Sequence, residues 1–361
     1  LFRSLIMPVL WAVGAYSLAQ SGDNNWIGNL DALFLDGIGI ADDNGGTIVT
    51  IAFLGMFATI TPALISGAVA DRMKFSAWAI FSPLWLLLVF CPVFKWVYGG
   101  WLGDRGSLDF AGGTAIHVNA GIAALAAVLV LGPRKGWPNS LTPPHNMPLV
   151  MIGTGILWFG WFGFNAGSAL GANGQAAQAF MNTFLAAAAA GLAWALVEKF
   201  RDGHFTNVGA ASGIVAGLVA ITPAAGYVSG PAPILIGLGT GVICAYAVRI
   251  KFLGGFDDAL DVVGVHFVGG LVGSLSIGLF ANRDFFADDA LWGSIDNGLF
   301  YGGGVKLLGE QILANAAAIV WSFAVTVAIL VVLKKTIGIR VGEEAEGSDL
   351  DLAEHGETAY S

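Results

Sequence analysis

Residues 109–121 read DFAGGTAIHVNAG and residues 261–270 read DVVGVHFVGG, and each stretch sets a histidine inside a long apolar segment. An aspartate precedes each of these histidines, His117 and His266, and a glycine follows each of them by four residues. An ionisable side chain inside a membrane span is costly, so it indicates a function and a partner. We therefore expect the two histidines to be partners of each other.

The two histidines also indicate an internal repeat. His117 lies in the fourth apolar span of the chain and His266 in the ninth, as expected if two halves of a transporter repeat one element. A neutral histidine offers one donor and one acceptor nitrogen, so a facing pair could pass a proton or bind a small neutral amine. The simpler alternative, a backbone carbonyl as partner of each ring, does not account for the match between the two stretches.

The composition predicts an all-α, polytopic membrane protein. The 361 residues are 56% hydrophobic and only 11% charged, and they include 52 glycines, unlike an average soluble domain. A helix that crosses a bilayer needs about 17 to 25 mostly apolar residues. Ten such spans are predicted, at residues 3–20, 46–70, 75–98, 111–132, 147–169, 176–198, 207–227, 231–252, 262–281 and 306–333.

The basic residues predict the orientation of these spans. If the loop at residues 71–74 is cytoplasmic, all but four of the 16 Lys and Arg residues lie on that side, in accord with the positive-inside rule. The C-terminus is then cytoplasmic, and the protein is a multi-pass protein of the cell membrane. The net charge of −9 arises from acidic loops and an acidic tail, and it gives no indication of nucleic-acid binding.

No residue pattern indicates an enzyme, a metal or a cofactor. Neither histidine has the HExxH spacing of a zinc protease or a partnered nucleophilic serine. Cys91 and Cys244 lie within apolar spans and are expected to be packing residues rather than a disulfide.

A second set of residues follows a helical spacing. Trp161, Phe164 and Ser168 are three and four residues apart, which places them on one face of their predicted helix. Isolated aromatic residues in a membrane helix are most simply explained as packing. The motifs around these three residues favour a functional interpretation instead.

The chain resembles the ammonium transporter and Rhesus family over essentially its whole length. The motifs that carry the resemblance are at residues 109–121, 144–148 (PHNMP), 160–169 (GWFGFNAGSA), 222–227 (TPAAGY), 261–270, 338–344 (GIRVGEE) and 355–360 (HGETAY). The resemblance implies eleven helices, made of two inverted five-helix repeats and a final helix. Ten of the eleven helices are expected in this sequence, because the first predicted span resembles the second helix of the family.

The resemblance also implies the division of the chain and its partners. Residues 1–335 would form the transmembrane ammonium channel or transporter domain, and residues 336–361 a cytoplasmic regulatory tail. In the family such a tail contacts the neighbouring subunit of a homotrimer, and many bacterial members are blocked from inside by a PII-type signalling protein. A solvated, disordered tail is the alternative, given its acidic composition.

The site residues are likewise carried over by resemblance. His117, His266 and Trp161 are expected in the pore. The remaining roles implied by the family are substrate recruitment for Tyr98, Ser168 and Phe57, a stacked gate for Phe57 and Phe164, and structural or electrostatic support for Asp109 and Asp261.

Ammonium would then be recruited at an outer aromatic site, lose its proton and cross as ammonia beside the two histidines. Whether the proton follows through the histidines or returns outside is left open by the sequence. An ammonium sensor with little transport is the alternative function.

Two departures from the family pattern concern the outer site. Tyr98 stands where the family usually has Trp, and Trp binds a cation more strongly. Lys95 precedes Tyr98 by three residues, on nearly the same face, so its charge is expected to oppose cation recruitment unless the side chain snorkels away or pairs with an acidic residue.

Overall fold

Ten apolar helices form the body of the computed structural model, which describes residues 2–39, 45–141, 143–285, 296–347 and 350–358. Eight of these helices are long and apolar enough to cross a membrane, and two are shorter. In chain order they are α1 (Ser4–Gln20), α2 (Gly46–Val69), α3 (Phe75–Asp104), α4 (Gly113–Leu131), α5 (Met147–Gly167), α6 (Gly174–Asp202), α7 (Asn207–Ile221), α8 (Ala232–Gly254), α9 (Val263–Phe280) and α10 (Lys306–Thr336).

The helices begin and end where the sequence supplies caps and breaks. The side chains of Asn146, Asn173 and Thr206 accept hydrogen bonds from the first turns of α5, α6 and α7, which satisfies donors that a helix start leaves unpaired. Helix α7 ends at Ile221 rather than at the predicted residue 227, because Pro223 cannot continue it. The fold class is confirmed: the described residues contain helices and one isolated β-bridge.

Four helices contain a π-helical turn, which hydropathy alone did not predict. Two of these turns lie in α1 and α3, at Trp11–Ala15 and Leu86–Phe90. The other two open α4 and α9, at Gly113–Val118 and Val263–Phe267, and each contains one of the two histidines. A π turn inserts an extra residue into a helix and is common at functional sites.

Small residues let the second half of the body pack closely. An added methyl group on Gly217 of α7 would lie 2.5 Å from the carbonyl oxygen of Ala186 in α6. One on Gly241 of α8 would lie 2.4 Å from the carbonyl oxygen of Ala190. Helices in lipid gain no hydrophobic driving force toward each other, so close backbone contact of this kind is what holds them together.

The C-terminal tail packs on one end of the body, which we call the tail face. The N–H of Lys74 donates to the carbonyl of Ile339, and the N–H of Val341 donates to the carbonyl of Arg72. Two short helices follow, α11 (Glu343–Glu346) and α12 (Leu350–His355). The described part of the tail is therefore docked, and the disordered alternative is wrong for it.

A buried charge cluster joins the loops of the tail face. Arg72 is buried, and its guanidinium donates to the carbonyls of Gly132 and Asp257. Arg134 donates to both carboxylate oxygens of Asp257, at 2.8 and 2.9 Å. Burial alone would raise the pKa of Asp257, but the hydrogen bonds from Arg134 hold that pKa below its usual value. The ionised carboxylate therefore compensates two cations.

We expect Asp257→Asn to destabilise the protein by about 3–5 kcal/mol, because it leaves buried guanidinium charge without its counter-ion. Thermal unfolding in detergent measures this change. Asp71→Asn is the matched control: Asp71 also pairs with Arg134, at 3.2 Å, but its side chain is 66% exposed, against 0% for Asp257. Its loss should cost about 0–1 kcal/mol. Equal effects of the two variants would contradict the assignment of Asp257 as the buried centre of this cluster.

Candidate functional site

The two histidines face each other in the centre of the body. The Nδ1 atoms of His117 and His266 are 3.2 Å apart, and the rings are 16° from parallel with centroids 5.3 Å apart. One ring must donate and the other accept, because a neutral imidazole has one nitrogen of each kind. The structure thus brings together the two side chains that the sequence indicated as partners.

Trp161 fixes the ring of His117 from the other side. The indole stacks on that imidazole at 5.5 Å between centroids and 12° between planes. Its Nε1 donates to the hydroxyl of Thr222 at 2.8 Å, and Thr222 is in turn 3.2 Å from the side-chain oxygen of Asn165. Sequence reasoning singled out Trp161 but missed Thr222 and Asn165. The polar residues lie in the motifs at 160–169 and 222–227, which were the available signal.

A stacked aromatic pair lies next to the histidines. Phe57 of α2 and Phe164 of α5 lie 4.7 Å apart between centroids with planes at 17°. Phe164 also lies 6.4 Å from the ring of His117. The ring centroids of Trp161 and Phe164 are 5.1 Å apart, so these two side chains lie on the same face of α5, next to the histidines.

A small cavity lies beyond this pair, on the side away from the tail face. It has a volume of about 80 Å³, and we call it the aromatic cavity. A water molecule occupies about 30 Å³ in the liquid, so one or two particles of that size fit. Its walls include Phe57, Phe94, Tyr98, Phe110 and Ser168.

Ser168 supplies a polar group in the wall of the aromatic cavity. Its hydroxyl donates to the carbonyl of Phe164 at 3.0 Å. A hydroxyl group that donates one hydrogen bond still has oxygen lone pairs that can accept another hydrogen bond. The cavity therefore combines ring faces, which attract a cation, with a hydrogen-bond acceptor.

A second cavity lies on the other side of Tyr98. It has a volume of about 370 Å³, and its walls include Ser107, Asp109 and Tyr227. Tyr98 lines both cavities, so its ring is the wall between the apolar cavity and this more polar one.

The structure gives Lys95 backbone carbonyls as partners. Its Nζ donates to the carbonyl of Gly22, just after α1, at 2.8 Å and lies 3.5 Å from the carbonyl of Gln20, the last residue of α1. Lys95 is buried there and does not line the aromatic cavity. A lysine in an apolar site takes backbone carbonyls as partners, and helical spacing alone does not reveal them.

Asp109 holds the start of α4. Its two carboxylate oxygens accept hydrogen bonds from four successive backbone N–H groups, between 2.6 and 3.0 Å. A helix start leaves these donors unpaired and favours a negative charge. The four donors belong to Gly112, Gly113, Thr114 and Ala115.

The position of Asp261 just before the second histidine indicates it as the counterpart of Asp109, but this expectation is wrong. Asp258 holds this position, because its carboxylate accepts the N–H of Val263 at 2.7 Å at the start of α9. Asp261 instead forms an ion pair with Lys251, with 2.7 Å between Nζ and the carboxylate oxygen. The backbone of Asp261 has a φ of 60°. The missed signal is the spacing: Asp109 and Asp258 each precede their histidine by eight residues. Burial raises the pKa of Asp258 to about 6.

Within the part of the chain that the structure describes, no group of three or more His, Cys, Asp or Glu residues could hold a metal ion. Ten apolar helices around an aromatic cavity, an aromatic stack and two facing histidines define a multi-pass membrane protein.

The comparisons with known proteins give this class its family. The model of the Ammonium Transporter Family matches residues 1–360. The ammonium transporter of Mycobacterium bovis is 48% identical over an alignment 385 positions long, which covers 98% of this chain and 80% of the relative. That of Bacillus subtilis is 44% identical, over 98% of this chain and 87% of the relative. The chain belongs to the ammonium transporter family, and it is not an enzyme.

Solved structures agree with this assignment. Mep2 of Candida albicans matches with a TM-score of 0.89 and 37% identity, over 99% of this chain and 81% of that one. A structure titled Sensor Amt Protein matches with a TM-score of 0.87 and 29% identity, over 98% of this chain and 88% of that one.

We expect Thr222→Val to destabilise the protein by about 1–3 kcal/mol, because it leaves the buried indole N–H of Trp161 without its acceptor at nearly unchanged volume. Thr240→Val is the matched control. Thr240 is also buried, but its hydroxyl only donates to the carbonyl of Ile236 in its own helix. Thermal unfolding of both variants gives the comparison, and a smaller loss for Thr222→Val than for Thr240→Val would count against the network.

Proposed function

We propose that the chain is an ammonium transporter that recruits ammonium in the aromatic cavity, removes its proton and conducts ammonia past the paired histidines. The observation that carries the proposal is the pair of imidazoles at 3.2 Å below a closed aromatic stack. The names of the curated relatives, ammonium transporters in Mycobacterium bovis and Bacillus subtilis, supply the substrate.

The magnitudes favour passage of the neutral molecule. Moving a bare cation into a medium of low dielectric costs on the order of 20 kcal/mol in the Born limit. A cation–π contact returns only about 0.5–2 kcal/mol. Removing the proton at pH 7 costs about 4.6 kcal/mol for an amine with a pKa of about 10.4, at about 1.36 kcal/mol per pH unit. The aromatic cavity therefore serves to concentrate the cation rather than to carry it inward.

The histidines provide what a neutral amine needs in an apolar pore. Among the described residues, the Nε2 atom of His117 has no hydrogen-bond partner, although it is buried. Leaving a buried polar atom unpaired costs free energy, and a passing ammonia molecule would pair it. Ammonia can donate and accept, so it suits either tautomer of the ring.

The aromatic stack must open during each passage. Phe57 and Phe164 are in contact across the route, and ring stacking of this kind is worth only about 0.5–1.5 kcal/mol beyond the area it buries. We assign the pair the role of a gate that excludes water and hydrated ions.

Two routes remain for the proton. A relay through the facing histidines would make transport electrogenic. Release toward the side away from the tail face would make it ammonia conduction, and the second cavity beside Asp109 gives that route a polar exit.

The wider assembly belongs to the same proposal. The tail face is assigned to the cytoplasm, with residues 336–361 as a regulatory tail and possible contact with a PII-type protein there. A homotrimer is supported by family membership and by α5, whose outer face is open: added methyl groups on Gly153, Gly155, Gly160 and Gly163 would meet no atom within 4 Å. The sensor alternative is supported less, because the structure titled Sensor Amt Protein is 29% identical to this chain, whereas the ammonium transporters of Mycobacterium bovis and Bacillus subtilis are 48% and 44% identical.

We expect the double variant His117→Ala with His266→Ala to abolish ammonium-evoked current in reconstituted vesicles while the oligomer stays folded. The helices are held by backbone contact, and the imidazoles add the polar path. His145→Ala is the control, because His145 lies in a loop before α5 and is exposed. Unchanged current in the double variant would refute the proposed path.

We expect Tyr98→Trp to lower the half-saturation concentration for ammonium, by a factor equivalent to about 0.5–2 kcal/mol, because an indole attracts a cation more strongly than a phenol. Uptake measured against ammonium concentration tests this. Tyr246→Trp is the control, since Tyr246 is 54% exposed and remote from the aromatic cavity. The same half-saturation in Tyr98→Trp and the parent chain would place recruitment elsewhere.

A further inference from the structure

The glycines four residues after each histidine have no role in the proposed path, yet they occupy the crossing of α4 and α9. Gly121 follows His117, and Gly270 follows His266. Both are buried inside helices, where a glycine is unfavourable by about 1 kcal/mol relative to alanine. Their placement therefore needs a reason other than helix formation.

Each glycine lies against the turn that carries the other histidine. A methyl group on Gly121 would lie 2.5 Å from the backbone nitrogen of Phe267, the residue after His266. A methyl group on Gly270 would lie 3.1 Å from the Cβ of His117 and 3.1 Å from the carbonyl oxygen of Gly113. The contact is thus reciprocal, and it joins the two histidine turns directly.

We propose that Gly121 and Gly270 are positioning residues that set the distance between the two imidazoles. Each accepts the partner helix against its own backbone, so the Nδ1 atoms come within hydrogen-bond distance. A hydrogen bond between two nitrogens is lost when the atoms move apart by less than 1 Å. A side chain at either position would act on the histidine pair through the backbone and Cβ atoms of the opposite turn.

The two stretches together form one repeated unit. Aspartate, histidine and glycine occur at the spacing Asp-x7-His-x3-Gly in both, as Asp109, His117, Gly121 and as Asp258, His266, Gly270. The aspartate holds the start of the π turn, the turn presents the ring, and the glycine receives the opposite turn. The functional part of this inference rests on the proposed function, whereas its geometric part does not.

The test uses the full chain in lipid bilayers with ¹⁵N-labelled histidine. Solid-state NMR detects the coupling between two ring nitrogens across a hydrogen bond, and its loss in His117→Ala assigns the signal. We expect Gly270→Ala to abolish this coupling, because the methyl group must displace the turn of His117 by a few tenths of an ångström or more. The larger clash in Gly121→Ala threatens folding, so Gly270→Ala is the deciding variant.

Two matched glycines separate positioning from general packing. Gly269→Ala changes the neighbouring residue of α9, whose added methyl group would lie 3.3 Å from Val219 and away from both histidines. Gly278→Ala introduces a clash of 2.5 Å with the backbone of Leu308, further along the same helix. Both should keep the coupling, even where thermal unfolding shows a loss of stability.

The transport readout is ammonium-evoked current in the same vesicles. We expect a fall of several-fold in Gly270→Ala, since a displacement near 1 Å of reacting groups costs on the order of a hundredfold and this methyl group requires only a few tenths of an ångström. Gly269→Ala should retain the current. A retained coupling in folded Gly270→Ala, or its loss in Gly278→Ala as well, would overturn the positioning role. Current that survives removal of both histidines would instead overturn the proposed function, and it would leave the coupling result intact.

Discussion

The crossing of α4 and α9 is the contact that brings the two histidine turns together. The two helices approach until the backbone of each lies against a glycine of the other, and each opens with a π turn that carries a histidine. Interiors are close-packed, so one methyl group at such a crossing displaces a whole turn. The distance of 3.2 Å between the two Nδ1 atoms accompanies this close approach of the two backbones.

The cost of moving charge into lipid explains how the rest is arranged around that crossing. Ionised groups lie at the ends of the body: Asp109 at one end, and the cluster of Arg72, Arg134 and Asp257 on the tail face. Between these ends, the residues around the two histidines contribute aromatic rings, hydroxyls and imidazole nitrogens. An interior of this kind resists a cation by its desolvation and accepts a neutral molecule that hydrogen-bonds.

The sequence predicted the helices well because each backbone in lipid must satisfy its own hydrogen bonds over a bilayer thickness. It also indicated the pairing of His117 and His266 and the face of α5. It could not predict what irregular backbone decides. The π turns do not change the hydropathy pattern. The carbonyl partner of Lys95 lies in a loop, which helical spacing does not reveal. Asp261 is nearer to its histidine in the sequence, but Asp258 has the spacing that matches Asp109.

The two halves are related by the same twelve-residue spacing, but they differ in what surrounds it. The carboxylate of Asp109 accepts four backbone N–H groups and lines a cavity, whereas Asp258 accepts from Val263 beside the charge cluster of the tail face. The aromatic stack covers the histidines on the side of Asp109. A symmetric pair of rings therefore lies between unlike ends. The repeated spacing places the two histidines alike, whereas the groups around Asp109 and Asp258 make the two sides of the pair different.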